Sequence, residues 1–172
     1  MSQWNKYELG EIVQLSTAKY NPVNEQRNLP CIELEHIESE TGRLLGFVDS
    51  NKQKSIKNYF EPGDVLYGKL RPYLKKFYYP LFEGVCSSEI WVLKGNKSKI
   101  YSKFLYYLVQ TDKFNGQANK STGSKMPRAD WGFISESVFS IPPMEEQQKI
   151  AEILSTWDKA IELKEKLIEQ KK

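Results

Sequence analysis

Ile141-Pro142-Pro143-Met144-Glu145-Glu146-Gln147-Gln148-Lys149-Ile150-Ala151-Glu152-Ile153-Leu154 is the stretch on which the architecture turns. Two consecutive prolines have no N–H to donate, so they end the element before them. From Met144 to Lys172 the chain contains no Gly or Pro and is dense in Glu, Lys, Ile and Leu. Leu154, Ile161 and Ile168 recur at intervals of seven, beside the columns Ile150, Trp157, Lys164 and Ile153, Ala160, Leu167. They make one apolar stripe over nearly four heptads, the pattern of a helix that pairs with another helix. Such a helix spans roughly 40 Å at ~1.5 Å per residue, longer than its own globule would cover. Ile150, Leu154, Trp157, Ile161 and Ile168 are therefore the expected helix interface, the alternative being a stripe packed on its own domain.

Upstream of the prolines, Val138 to Ile141 reads as a short strand. So do Glu11 to Leu15, Cys31 to Leu34, Val65 to Tyr67, Lys76 to Tyr79 and Ile90 to Leu93, each bounded by turn residues or charges. Ser102 opens an expected helix to about Asn115, with Phe104, Leu105, Leu108 and Val109 on one face and Gly116 as its stop. The expected fold class is α+β, with a compact mixed domain over residues 1–143 and a long coiled-coil helix over residues 144–172.

The chain has 172 residues, 40% apolar and 13% aromatic, enough for one packed core and too ordered a composition for disorder. It shows no apolar run of membrane-spanning length, and Met1 to Val13 lack the basic-then-apolar pattern of a secretory signal. A soluble cytoplasmic protein without membrane partners is expected. Cys31 and Cys86 are far apart with no CxxC pairing, so no metal site is expected and two buried reduced thiols are the simple reading. His36 is the single imidazole, and no GxSxG accompanies it. No catalytic residues are expected.

A net charge of only +3 hides a pattern. Residues 43–76 hold eight basic against three acidic side chains, and residues 94–128 hold eight basic against Asp112 alone. Two such segments converging on one face give the electrostatic footprint of a nucleic-acid binder, although lysine-rich loops are also ordinary solvated surface. Within the first, Lys69, Arg71, Lys75 and Lys76 interleave with Tyr73, Phe77 and Tyr78. Arg71-Pro72 stiffens the chain where a strand ends, holding the guanidinium for a base or phosphate. The second ends in Lys120, Ser121, Thr122, Ser124, Lys125 and Arg128, a loop rich in donors for phosphate oxygens. These ten residues are the candidate DNA face. The bland alternative keeps Leu70, Leu74 and Phe77 as core and the lysines as solvated surface.

Gly63-Asp64-Val65-Leu66, Leu70-Arg71-Pro72 and Ser88-Glu89-Ile90-Trp91-Val92-Leu93, with the junction quoted above, resemble the target recognition domain of type I restriction–modification specificity subunits. Trp4, Leu9-Gly10-Glu11-Ile12 and Gly123-Ser124 up to Arg128 fit the same family, so the likeness covers nearly the whole chain. Where the family often has Gly after its first strand, Thr17-Ala18-Lys19-Tyr20 stands here. Such subunits carry two recognition domains and two long helices, so this chain looks like a half subunit. The resemblance implies a non-catalytic subunit that reads half of a bipartite double-stranded DNA target. It implies a homodimer through the helix, recruitment of a methyltransferase (modification) subunit and a restriction/translocase subunit, and a methyltransferase contact at Glu146 and Gln147 near Ile150. S-adenosylmethionine, ATP and Mg then belong to those partners, with no cofactor in this chain.

Two rivals stand beside this reading. One is a protein-interaction or anti-restriction module acting through the helix alone. The other is a small metal-dependent nuclease using Asp64, but Glu89-Ile90-Trp91 lacks the lysine such a site needs. Glu162-Leu163-Lys164 and Glu169-Gln170-Lys171 lie on the expected helix, far from Asp64.

Overall fold

The computed structural model describes residues 3–120 and 125–171, so Ser121, Thr122 and Ser124 of the candidate face lie outside the described residues. The domain is α+β. Its central strand is β10 (Ile90–Gly95), whose Ile-Trp-Val-Leu run is buried, as a strand covered on both faces requires. It pairs antiparallel with β2 (Val13–Leu15) and β7 (Val65–Gly68), and β7 with β8 (Phe77–Tyr78). A five-stranded sheet runs β3 (Lys19–Tyr20), β6 (Lys57–Phe60), β9 (Gly84–Cys86), β4 (Pro30–Ile32), β5 (Val48–Asp49). A two-stranded ribbon joins β1 (Asn5–Glu8) to β11 (Val138–Ile141).

Several local expectations change, among them the strand expected over Cys31 to Leu34, which runs Pro30–Ile32 while Leu34 opens a 3-10 turn. Over Glu11 to Leu15 only the last three residues are strand, because Leu9–Ile12 coil into a helical turn, α1. Its capping box places the Glu11 carboxylate 2.8 Å from the Glu8 N–H. The helix expected to Asn115 breaks into α2 (Ser102–Leu108) and α3 (Asp112–Lys120), with Gly116 inside α3 rather than stopping it. Thr111 is the cause. Its hydroxyl donates to the Leu108 carbonyl (2.7 Å) and accepts from the Phe114 N–H (3.2 Å), closing one helix and capping the next. A short α4 (Trp131–Ser135), capped by Asp130, was not expected.

Cys31 and Cys86 lie on adjacent parallel strands, free and fully buried. Burial raises both thiols, Cys31 to about 12, which leaves them protonated and inert. Beside them, a Cβ on Gly84 would sit 2.7 Å from both Phe60 Cζ and the Pro30 carbonyl oxygen. Gly84→Ala should therefore destabilise the chain by about 1–3 kcal/mol. Urea unfolding is the check, and an unchanged midpoint would contradict the close packing.

The prolines do end β11, and α5 (Met144–Gln170) follows at once. Its first two turns are sewn into the main core. Ala151 is buried there, and Ile150 packs against the same cluster.

Candidate nucleic-acid interface

Where β7 leaves its sheet, the backbone of residues 69–71 is held on two sides. The Lys69 N–H donates to the Glu89 carbonyl (2.9 Å), and its own carbonyl accepts from the Ala129 N–H (2.8 Å). Leu70 forms an isolated antiparallel bridge with Arg128, and the Arg71 N–H donates to the Pro127 carbonyl (2.7 Å). Residues 127–129 thus lie alongside residues 69–71. The two basic segments meet.

Pro72–Leu74 form a single 3-10 turn bracketed by Arg71 (φ 53°) and Lys75 (φ 51°), both left-handed. A non-glycine residue held there costs about 1–2 kcal/mol. The conformation is fixed by the Leu74 N–H to the Arg71 carbonyl (2.9 Å) and by the Glu40 N–H to the Lys75 carbonyl (2.8 Å). With Pro72 buried beneath it, Tyr73 is raised into solvent at 54% exposure, whereas Phe77 belongs to the core. Helix α3, which ends at Lys120, packs against this turn. Arg71→Gly should raise unfolding stability by about 0.5–1 kcal/mol, the relieved strain less the entropy of a glycine. Arg71→Ala should give no such gain in the same urea titration.

The cations differ in what they already hold. Lys76 donates to the Leu34 carbonyl at 2.7 Å, so its ammonium ties two loops together rather than facing outward as expected. Arg128 is bound side-on by Glu89, with Nε to Oε2 at 3.0 Å and Nη2 to Oε1 at 2.9 Å. Lys75 stands 4.0 Å from the Glu40 carboxylate. Lys69, Arg71, Lys120 and Lys125 have no ion pair among the described residues, and all but half-buried Lys69 are exposed. Glu89 entered the sequence reading as part of the family resemblance and as a nuclease carboxylate, not as a partner of Arg128. Its true neighbour is 39 residues away, so no local pattern could have paired them.

The carboxylates of a nuclease do not assemble. Asp64 is buried at the start of β7, accepting from Lys94 at 2.9 Å and from the Glu61 N–H at 2.8 Å. Glu89 precedes β10, which runs antiparallel to β7 with Ile90 opposite Gly68 and Leu93 opposite Val65. The two carboxylates thus sit at opposite ends of one ladder. No group of three His, Cys, Asp or Glu side chains that could hold a metal occurs among the described residues. His36 accepts the Glu33 N–H on Nδ1 and closes a local turn. No helix among the described residues is long and apolar enough to cross a membrane.

Helix α5 faces its own domain with a polar side. Gln147 is 1% exposed, and its amide meets the Tyr101 N–H (2.7 Å) and the carbonyls of Lys99 and Pro142 (2.9 Å each). That amide is engaged within the chain, so the expected methyltransferase contact finds it occupied; Glu146 beside it is half-buried. Further along, Tyr107 donates to Asp158 at 2.7 Å, and Arg43 pairs with Glu165. At ~100° per residue, Gln147, Ala151, Asp158 and Glu165 share one face, and Leu154, Trp157, Ile161 and Ile168 lie beside it, centred about 65° around the helix. Leu154, Trp157, Ile161 and Ile168 stand in solvent at 37%, 65%, 54% and 52% exposure, and only Ile150 turns inward.

The chain matches the family described as "Type I restriction modification DNA specificity domain" over residues 1–170. It is 28% identical over 152 residues to the type I restriction enzyme EcoDI specificity subunit of Escherichia coli, covering 87% of this chain and 33% of that protein. Against the HindI specificity subunit of Haemophilus influenzae it is 26% identical over 172 residues, 95% of this chain and 37% of the other. The HsdS subunit from Thermoanaerobacter tengcongensis shares the fold at a TM-score of 0.80 and 23% identity, over 96% of this chain and 44% of that one. This chain therefore spans well under half the length of the relatives it matches. With the likeness running over residues 1–170, it belongs to the type I restriction modification DNA specificity domain family.

Proposed function

We propose that this chain reads half of a bipartite double-stranded DNA site as the non-catalytic specificity component of a type I restriction–modification assembly. The observation that carries the reading is the meeting of residues 69–71 with residues 127–129, which joins the two basic segments, in a chain of a DNA-specificity family. Lys69, Arg71, Lys120 and Lys125 contact phosphates, with Lys75 released from Glu40 as DNA arrives. Each phosphate contact adds about −0.9 to the slope of log affinity against log salt. Ser121, Thr122 and Ser124 add hydroxyl donors, and Tyr73 offers a face for stacking or sugar contact. Lys76 supports the surface from beneath.

Two copies pair through α5 as a coiled coil, using Leu154, Trp157, Ile161 and Ile168, and so present two domains to a symmetric, interrupted target. The contacts of Tyr107 with Asp158 and Arg43 with Glu165 fix the helix's rotation, and therefore the angle at which each domain meets the duplex. A modification subunit docks by the start of α5, where exposed Glu145 and Gln148 flank half-buried Glu146. The methyl donor, ATP and Mg come with the modification and restriction subunits, and the assembly works on cytoplasmic DNA.

Co-expression with the methyltransferase subunit of the same system in a methylation-free host, followed by genome-wide mapping of methylated bases, tests the reading. A symmetric motif with a fixed gap is the expected result. A stoichiometric complex that modifies nothing overturns it. The rival reading, a protein-interaction module, draws on the exposed α5 stripe and predicts a partner complex with no affinity for DNA even at low salt.

A further inference from the structure

Among the cations of the candidate face, Arg128 alone has its charge cancelled by a side-on carboxylate. Glu89 takes the Nε and Nη2 edge of the guanidinium at 3.0 and 2.9 Å, and the hydrogen bonds from Arg128 hold its carboxyl below the usual carboxylate range. Glu89 is therefore ionised at neutral pH. A guanidinium carries five N–H groups in a planar fork. The side-on pair leaves the end edge, formed by Nη1 and the second hydrogen of Nη2, without a partner among the described residues. The Arg128 side chain is 46% exposed, and that edge has the spacing of the two acceptors, O6 and N7, that guanine shows in the major groove.

Both partners stand on pinned backbone. Glu89 is fixed by its N–H to the Ser87 hydroxyl (3.1 Å) and by its carbonyl, which accepts from the Lys69 N–H (2.9 Å). Arg128 is fixed by the bridge to Leu70 and by the flanking bonds at Pro127 and Ala129. An exposed ion pair contributes little to stability, but this one removes the rotamer freedom of a long side chain before any ligand arrives. A neutralised arginine is also a poor phosphate anchor beside Arg71 and Lys125, which have no ion pair among the described residues.

We propose that Arg128 reads a guanine through its end edge and that Glu89 is the residue positioning it, a proposal that rests on the DNA-reading function above. Selection from a random-sequence duplex library, using the whole chain, tests it. Wild type should enrich a motif in which one position is guanine. Arg128→Ala and Arg128→Lys should lose preference at that position by roughly 10-fold or more while the other positions persist. Glu89→Gln, which removes the charge but little volume, should lose several-fold at the same position alone, an effect that general loosening of the fold would not confine to one base. Lys125→Ala should weaken all sequences alike. Thermal melting of each variant separates loss of folding from loss of reading. An Arg128→Lys motif identical to wild type overturns the guanine assignment, and an unchanged Glu89→Gln motif overturns the positioning role. A wild-type chain that enriches no motif overturns the DNA-reading function itself and this proposal with it.

Discussion

Gln147→Leu should lower the unfolding free energy by about 3 kcal/mol. The side chain is 1% exposed and satisfies three backbone groups at once: the Tyr101 N–H that begins α2, the Lys99 carbonyl and the Pro142 carbonyl. Leucine matches the volume and meets none of them. Each buried group left without a partner costs about 1–3 kcal/mol, and local relaxation toward water recovers part of that sum. At the size of this chain the loss corresponds to a melting temperature lower by roughly 6–12 °C. Urea unfolding should show a lower midpoint at unchanged slope, the mark of lost stability rather than a changed denatured state. Tyr107→Phe, which removes one partly exposed bond to Asp158, should cost only about 1 kcal/mol and serves as the comparison. A Gln147→Leu loss as small as that would mean the amide is no keystone between the junction and the helix.

The contrast between Gln147 and its neighbours shows what the sequence could disclose. Pro142-Pro143 and the recurrence of Leu154, Ile161 and Ile168 are local signals, and α5 begins where they place it. Val65–Gly68 and Ile90–Gly95 are equally legible, because a run of apolar residues bounded by turn residues has few other uses. Gln147 sits among Glu145, Glu146, Gln148 and Lys149, where nothing marks one amide as buried. Glu89 and Arg128 meet only once residues 69–71 have been threaded between them. Of the five-stranded sheet only β4 was legible, as the expected strand Cys31 to Leu34. The other strands are two to four residues long and stabilise one another across large separations, so no window of sequence carries their pattern. Thr111 was legible in principle, since a hydroxyl before Asp112 is an ordinary cap, but the continuing apolar face of residues 104–109 outweighed it.

Replacing Leu154, Ile161 and Ile168 together by glutamate should abolish the proposed self-association while leaving the domain folded. These positions are 37%, 54% and 52% exposed and lie at the solvent-facing flank of the face that Gln147, Ala151, Asp158 and Glu165 turn toward the domain. Each substitution there should change the unfolding free energy of the domain by no more than about 0.5 kcal/mol. In a paired helix the same positions form the seam. Each buried carboxylate without a counter-charge costs about 3–5 kcal/mol, and symmetry places three from each chain in one interface. The dissociation constant should rise beyond the millimolar range, since every 1.4 kcal/mol is about tenfold. Light scattering at tens of micromolar then reports a dimer for wild type and a monomer for the variant. Under the proposed two-copy assembly, methylation at a symmetric motif should disappear with it. The wild-type arm is decisive on its own: a monomer at that concentration shows that the stripe serves some other helix. The polar contacts at Tyr107 and Arg43 would then orient α5 toward a different chain rather than a second copy.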